Sequence, residues 1–100
     1  DIQHIILSRI ELKRFPNLIN NQLFDLFFSA KETLFKALYP SCLDFFEHQD
    51  AEIISTNATN STLDIKLLRN LKHIWKKDQI FTINYGTVSN EVVTWLLIEK

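Results

Sequence analysis

Between Gln22 and Tyr39 the chain can form only one kind of helix, one buried over most of its girth. At about 100° per residue, Leu23, Phe27, Ala30, Leu34 and Ala37 fall on one ridge, and Phe24, Phe28, Phe35 and Leu38 widen it past half the circumference. Asp25, Ser29, Glu32 and Lys36 stack in a narrow polar line, with Thr33 on its margin. Such a helix needs a second layer to cover its apolar side. Pro40 is the expected stop, because proline lacks the N–H of the helix ladder and disfavours the α region for the residue before it.

Lys31 breaks this pattern. It projects from the apolar side, near Phe24, Phe28 and Phe35. A lysine there must snorkel to water or meet an anion, and a ligand phosphate is one such anion. Glu32 and Lys36 are spaced i, i+4 in the favourable order, and on pattern alone they read as a surface ion pair. The competing reading takes the three together: a carboxylate beside two lysines is what a Mg²⁺–diphosphate site requires.

The rest of the chain predicts the covering layer. Ser8-Arg9-Ile10-Glu11 reads as a capping box opening a short helix from about Arg9 to Phe15, stopped by Pro16 and followed by a loop over 17–21. After Pro40 the period changes. Strands are expected over 50–56 and 63–67, with a polar turn between them, then over 80–88 and 91–99 around a tight turn at Ser89-Asn90. Residues 70–78 read as a basic, helix-compatible connector, with Leu71, Ile74 and Trp75 inward and Lys72, His73, Lys76 and Lys77 outward. The run Val92 to Ile98 is apolar on both faces, which predicts a central strand. Two helices followed by a small antiparallel sheet make an α+β domain.

At 100 residues with 46% hydrophobic side chains, the chain is one small domain or one half of a larger one. A net charge of −1 recruits neither nucleic acid nor an anionic membrane. A single cysteine, Cys42, excludes an internal disulfide and fits a reducing compartment. No apolar run reaches membrane-spanning length and the N-terminus lacks a signal-peptide layout, so a cytoplasmic protein is expected. The sequons at Asn57 and Asn60 then read as polar turns. His4, His48 and His73 lack zinc-ligand spacing and read as boundary histidines, while Ser29, Ser41 and Ser89 lack a nucleophile elbow. The basic cluster at 72–77 is a solvated face or a dock for an acidic partner protein. With one glycine, Gly86, no phosphate-binding loop is possible.

Phe28-Ser29-Ala30-Lys31-Glu32 followed by Phe35-Lys36-Ala37 resembles the signature of the 4′-phosphopantetheinyl transferases. The extension Leu38-Tyr39-Pro40, then Leu43 to Phe46 and Ala51 to Ile53, looks most like the enterobactin-synthase component D branch. Ile6-Leu7-Ser8 with Glu11 is similar to the family's preceding helix, and Phe81 to Asn84 with Val92 to Glu99 to its closing strands. The resemblance implies transfer of the phosphopantetheine arm of coenzyme A to a serine of an apo acyl or peptidyl carrier protein, with Mg²⁺ bridging the diphosphate. It implies that Glu32 ligates Mg²⁺ and helps deprotonate the serine, that Lys36 binds the diphosphate and stabilises the leaving group, and that Lys31 supports phosphate binding or the site's geometry. It also implies siderophore or related peptide-synthetase metabolism.

One departure qualifies this picture. The family places a Gly-x-Asp metal-binding motif upstream of the first helix, and Asp1 lies too near Ser8, with no glycine before it, to serve. Many members consist of two similar α+β lobes with coenzyme A between them. The expectation is therefore the C-terminal lobe of such an enzyme, inactive alone, its uncovered seam prone to self-association. The alternative is a non-catalytic α+β interaction domain that keeps the fold.

Overall fold

The buried helix forms, and a meander of four strands covers it. The computed structural model describes residues 9–15 and 21–96. Its helices are α1 (Arg9–Arg14) and α2 (Asn21–Cys42), and its strands are β1 (Ala51–Asn57), β2 (Thr62–Leu67), β3 (Ile80–Val88) and β4 (Glu91–Trp95). All strand pairs are antiparallel, in the order β1-β2-β3-β4. This is the α+β class expected, in two layers.

The core lies between α2 and the inner face of the sheet. Phe27, Ala30, Leu34 and Leu38 are fully buried, and Ile53, Leu63, Ile65, Leu67 and Ile83 meet them from the strands. Burial contributes about 1.5–3 kcal/mol for each large side chain. The other face of the sheet is polar at its centre and carries exposed Ile80, Val93 and Trp95. Asp64 accepts hydrogen bonds from Thr82 at 2.7 Å and from Ser55 at 3.2 Å, joining three strands.

Several expectations need correction. Pro40 does not end α2, which runs on to Cys42. The last turn is anchored instead by burial of Leu38 and Cys42, and the Leu38 carbonyl accepts from Trp75 Nε1 and Cys42 Sγ. The helix stops where Leu43 turns left-handed (φ 52°) and its N–H bonds the Tyr39 carbonyl at 2.7 Å. Residues 70–78 are not helical. Lys72, His73 and Asp78 take positive φ, Leu71 bridges Trp75, and Ile74 points outward at 49% exposure. Among the described residues β4 has a neighbouring strand on one side only, β3, and so ends the meander rather than lying within it; residues 97–99 of the expected strand lie outside the described residues. Val93 and Trp95 look away from the helix, and the Trp95 ring covers Gly86, where a Cβ would sit 3.6 Å from it. The polar line of α2 is also only partly wet: Ser29 Oγ lies 2.8 Å from Thr94 Oγ1 on β4, and Thr33 Oγ1 approaches the same hydroxyl.

The Glu11 side chain is drawn into the core. It is fully buried, and one of its oxygens accepts from Lys31 Nζ at 2.8 Å while the other accepts from the Ile53 N–H at 2.7 Å. Ser8, the other half of the expected box, lies outside the described residues, as do residues 16–20 of the expected loop. Arg14 donates to the Ile53 carbonyl at 2.9 Å and to Glu52. Two side chains of α1 thus satisfy the backbone groups that Ile53 presents away from β2, as a neighbouring strand would.

Lys31 sits below its ordinary pKa of 10.5 because burial disfavours its charge more than Glu11 and Glu52 favour it. Removing one partner of a buried pair costs about 3–5 kcal/mol. Lys31→Met is therefore expected to lower the denaturant midpoint strongly. Glu11→Gln/Lys31→Met, which keeps an acceptor for Ile53 but buries no charge, should recover much of the loss. Stability should also rise with pH between the lowered pKa of Lys31 and 10.5, where the unfolded chain holds a proton that the folded one has released. Denaturant melts across alkaline pH test this, since the contribution must be missing from Lys31→Met.

Candidate functional site

A cleft of about 450 Å³ opens beside the motif helix, lined by Lys31, Glu32, Phe35, Phe46, Glu47, His48 and Ala51. Three of these come from α2, Lys31 and Glu32 side by side and Phe35 one turn later. Phe46 and Glu47 follow from the segment after it, His48 opens a single 3-10 turn (His48–Asp50), and Ala51 begins β1. The segment after α2 is held down by its own polar contacts. Glu47 N–H bonds Asp50 at 2.8 Å, closing a capping box over the 3-10 turn. Arg69 reaches Asp44 at 3.2 Å and Asp50 at 3.3 Å, and donates to the Phe45 carbonyl. Phe46 packs on Phe35 with ring centroids 4.8 Å apart, and Phe45 and Tyr39 extend the aromatic wall outward.

The three motif charges occupy three different environments. Lys31 is 3% exposed at the floor, with Nζ bonded to Glu11 and, at 2.8 Å, to the His48 carbonyl. The anion it meets is thus supplied by the protein. Glu32 is half-buried on the wall, its Oε1 lying 3.0 Å from His48 Nε2. Lys36 is exposed one turn farther along, and neither Glu32 nor any other described carboxylate pairs with it. The surface ion pair read from the i, i+4 spacing is therefore not formed, because Glu32 turns to His48.

Asp25, on the same polar line, lines a separate concavity with Phe28, Thr87, Asn90, Glu91 and Val92. Of the weaker candidates, Ser29 is engaged with Thr94, Ser89 is part of the β3–β4 turn, and Cys42 is a buried free thiol. His73 sits in an exposed turn, and His4 lies outside the described residues. The basic side chains Lys72, Lys76 and Lys77 are exposed.

His48 is the residue that sequence reasoning passed over. Its ring stacks on Phe28, with centroids 5.4 Å apart and planes within 16°, and its Nε2 faces Glu32. No spacing could have revealed this, since the contact depends on how the segment after Cys42 folds back.

Among the described residues, no group of three or more His, Cys, Asp or Glu could cage a metal ion, and no helix is long and apolar enough to cross a membrane. A single half-exposed carboxylate suits a hard cation that keeps phosphate and water oxygens as its other ligands. No individual curated protein matches this sequence. The sequence model of the 4′-phosphopantetheinyl transferase superfamily, by contrast, matches residues 1–93. That match runs through both helices, the cleft and the sheet, and on it this chain belongs to the 4′-phosphopantetheinyl transferase superfamily.

Proposed function

We propose that this chain is the C-terminal lobe of a two-lobed 4′-phosphopantetheinyl transferase, which moves the arm of coenzyme A onto a serine of an apo carrier protein. The observation that carries the reading is the arrangement on α2: Glu32 lines an open cleft, and Lys36 is exposed one turn beyond it, with no carboxylate partner among the described residues. The lobe packs its own core with α1 and α2 on one sheet face, which supports its being a unit of a larger enzyme.

In this reading the serine oxygen attacks the β-phosphorus of coenzyme A. The bond to adenosine 3′,5′-bisphosphate breaks, and the serine proton passes to a base. Glu32 would supply one hard oxygen to Mg²⁺ and help to take that proton. When bound, Mg²⁺ neutralises charge on the diphosphate. Lys36 is a mobile ammonium that reaches phosphoryl oxygens and the leaving group. Of the two roles open to Lys31, its burial and its bonds to Glu11 and His48 support the geometric one. Positioning and charge neutralisation supply most of the catalysis in such transfers.

The finer assignment is an enterobactin-synthase-like enzyme serving siderophore or related peptide-synthetase carrier proteins, in a reducing cytoplasm. It is supported by the cleft itself, since Phe46 and Ala51 belong to the segments that carry the branch resemblance.

Arm transfer by the full-length protein, assayed with coenzyme A and an apo carrier protein, tests the reading. Glu32→Ala should lower kcat by roughly 10³-fold or more, and Lys36→Ala by roughly 10²-fold, as expected for lost stabilisation of developing phosphoryl charge. Retained activity in Glu32→Ala would sink the metal role. Residues 1–100 alone should bind coenzyme A weakly or not at all, even with Mg²⁺. A calorimetric Kd on the order of 1 μM that depends on Mg²⁺ would contradict a shared site.

A further inference from the structure

His48 faces a partner with one ring nitrogen and none with the other. Nε2 lies 3.0 Å from Glu32 Oε1, while Nδ1 is buried without a hydrogen-bond partner among the described residues. A neutral imidazole carries its hydrogen on one nitrogen and a lone pair on the other. Placed on Nδ1, that hydrogen would be a buried donor with nothing to bond, which is the costlier arrangement. Placed on Nε2, it sits on the nitrogen that lies 3.0 Å from a carboxylate oxygen.

The ring is also held from two sides. Phe28 stacks against its face, and the His48 carbonyl accepts from Lys31 Nζ, which is itself tied to Glu11. The plane of the imidazole and the backbone beneath it are therefore fixed by groups that do not belong to the cleft's chemistry. Glu32, by contrast, is a three-torsion side chain at a partly exposed helix position, and nothing else described bonds it.

We propose that His48 is a positioning residue for Glu32. Its Nε2–H donates to Oε1, selects the carboxylate's rotamer and leaves Oε2 as the uncommitted oxygen for the cation. The inference rests on the role proposed above for Glu32. Partners behind a metal-binding carboxylate typically change metal affinity or activity by about 10–100-fold. His48 supplies that support here from the 3-10 turn, through the same peptide that anchors Lys31.

Two substitutions in the full-length protein separate positioning from packing. His48→Phe keeps a ring to stack on Phe28 but removes the donor. His48→Gln keeps an N–H near the place of Nε2 but removes the ring. Positioning predicts that His48→Phe raises the Mg²⁺ concentration for half-maximal arm transfer about tenfold and lowers kcat about tenfold, with KM for the carrier protein unchanged. It predicts that His48→Gln stays within about threefold of the parent protein. The reverse ranking overturns the proposal.

A readout independent of activity is the long-range ¹H–¹⁵N imidazole correlation of the unsubstituted protein, recorded with the ring neutral. The Nε2–H tautomer at His48 supports the proposal, and the Nδ1–H tautomer overturns it. Glu32→Ala separates the two levels of the argument. If it is inactive while His48→Phe behaves like the parent, the positioning role alone fails. If Glu32→Ala is active, the site reading beneath it fails.

Discussion

The ion pair between Glu11 and Lys31 is the constraint on which the rest of this structure turns. Its lysine is 3% exposed and its carboxylate fully buried. Around it meet α1, α2, the edge of β1 and the 3-10 turn. Buried pairs are poor stabilisers, since desolvation offsets most of the Coulomb gain. They are strict about geometry, however, because a misplaced partner leaves a charge in the core. Once Lys31 is pinned inward, the rotation of α2 about its axis is set. Glu32, about 100° around the helix, must then lie on the cleft wall, and Lys36 falls one turn beyond it.

This arrangement explains how one short motif can hold three charges in three different environments. Lys31 gives up solvent and some of its basicity to become part of the frame. Glu32 stays half-exposed on the cleft wall, 3.0 Å from His48 Nε2. Lys36 keeps its full reach. The aromatic rings of Phe35 and Phe46, extended outward by Phe45 and Tyr39, give the cleft an apolar side next to these groups.

Where local chemistry dominates, the sequence was legible. The alternation Leu63, Ile65, Leu67 gave β2, and Ser89-Asn90 gave the β3–β4 turn, with φ values of 52° and 66° suited to a tight hairpin. Where packing overrides propensity, it was not. Pro40 is tolerated because Leu38 and Cys42 are worth more in the core than the proline costs in the last turn. Residues 70–78 have helical spacing, yet Leu71 and Trp75 satisfy it by bridging across a turn. The two-sided apolar run of β4 looked central because composition reports how greasy a strand is, not how many neighbours it has.

By itself, the sequence determined the fold class, the burial of α2 and the family to which its Lys-Glu and Lys-Ala pairs belong, because helical periodicity and motif order are properties of the chain alone. Only the tertiary structure decided what each charge meets. Glu11 and Lys31 are 20 residues apart and Glu11 and the Ile53 N–H are 42 apart. His48 reaches Glu32 only because the segment after Cys42 folds back along α2. Contacts across such separations depend on loop closure and core packing, which no local pattern encodes.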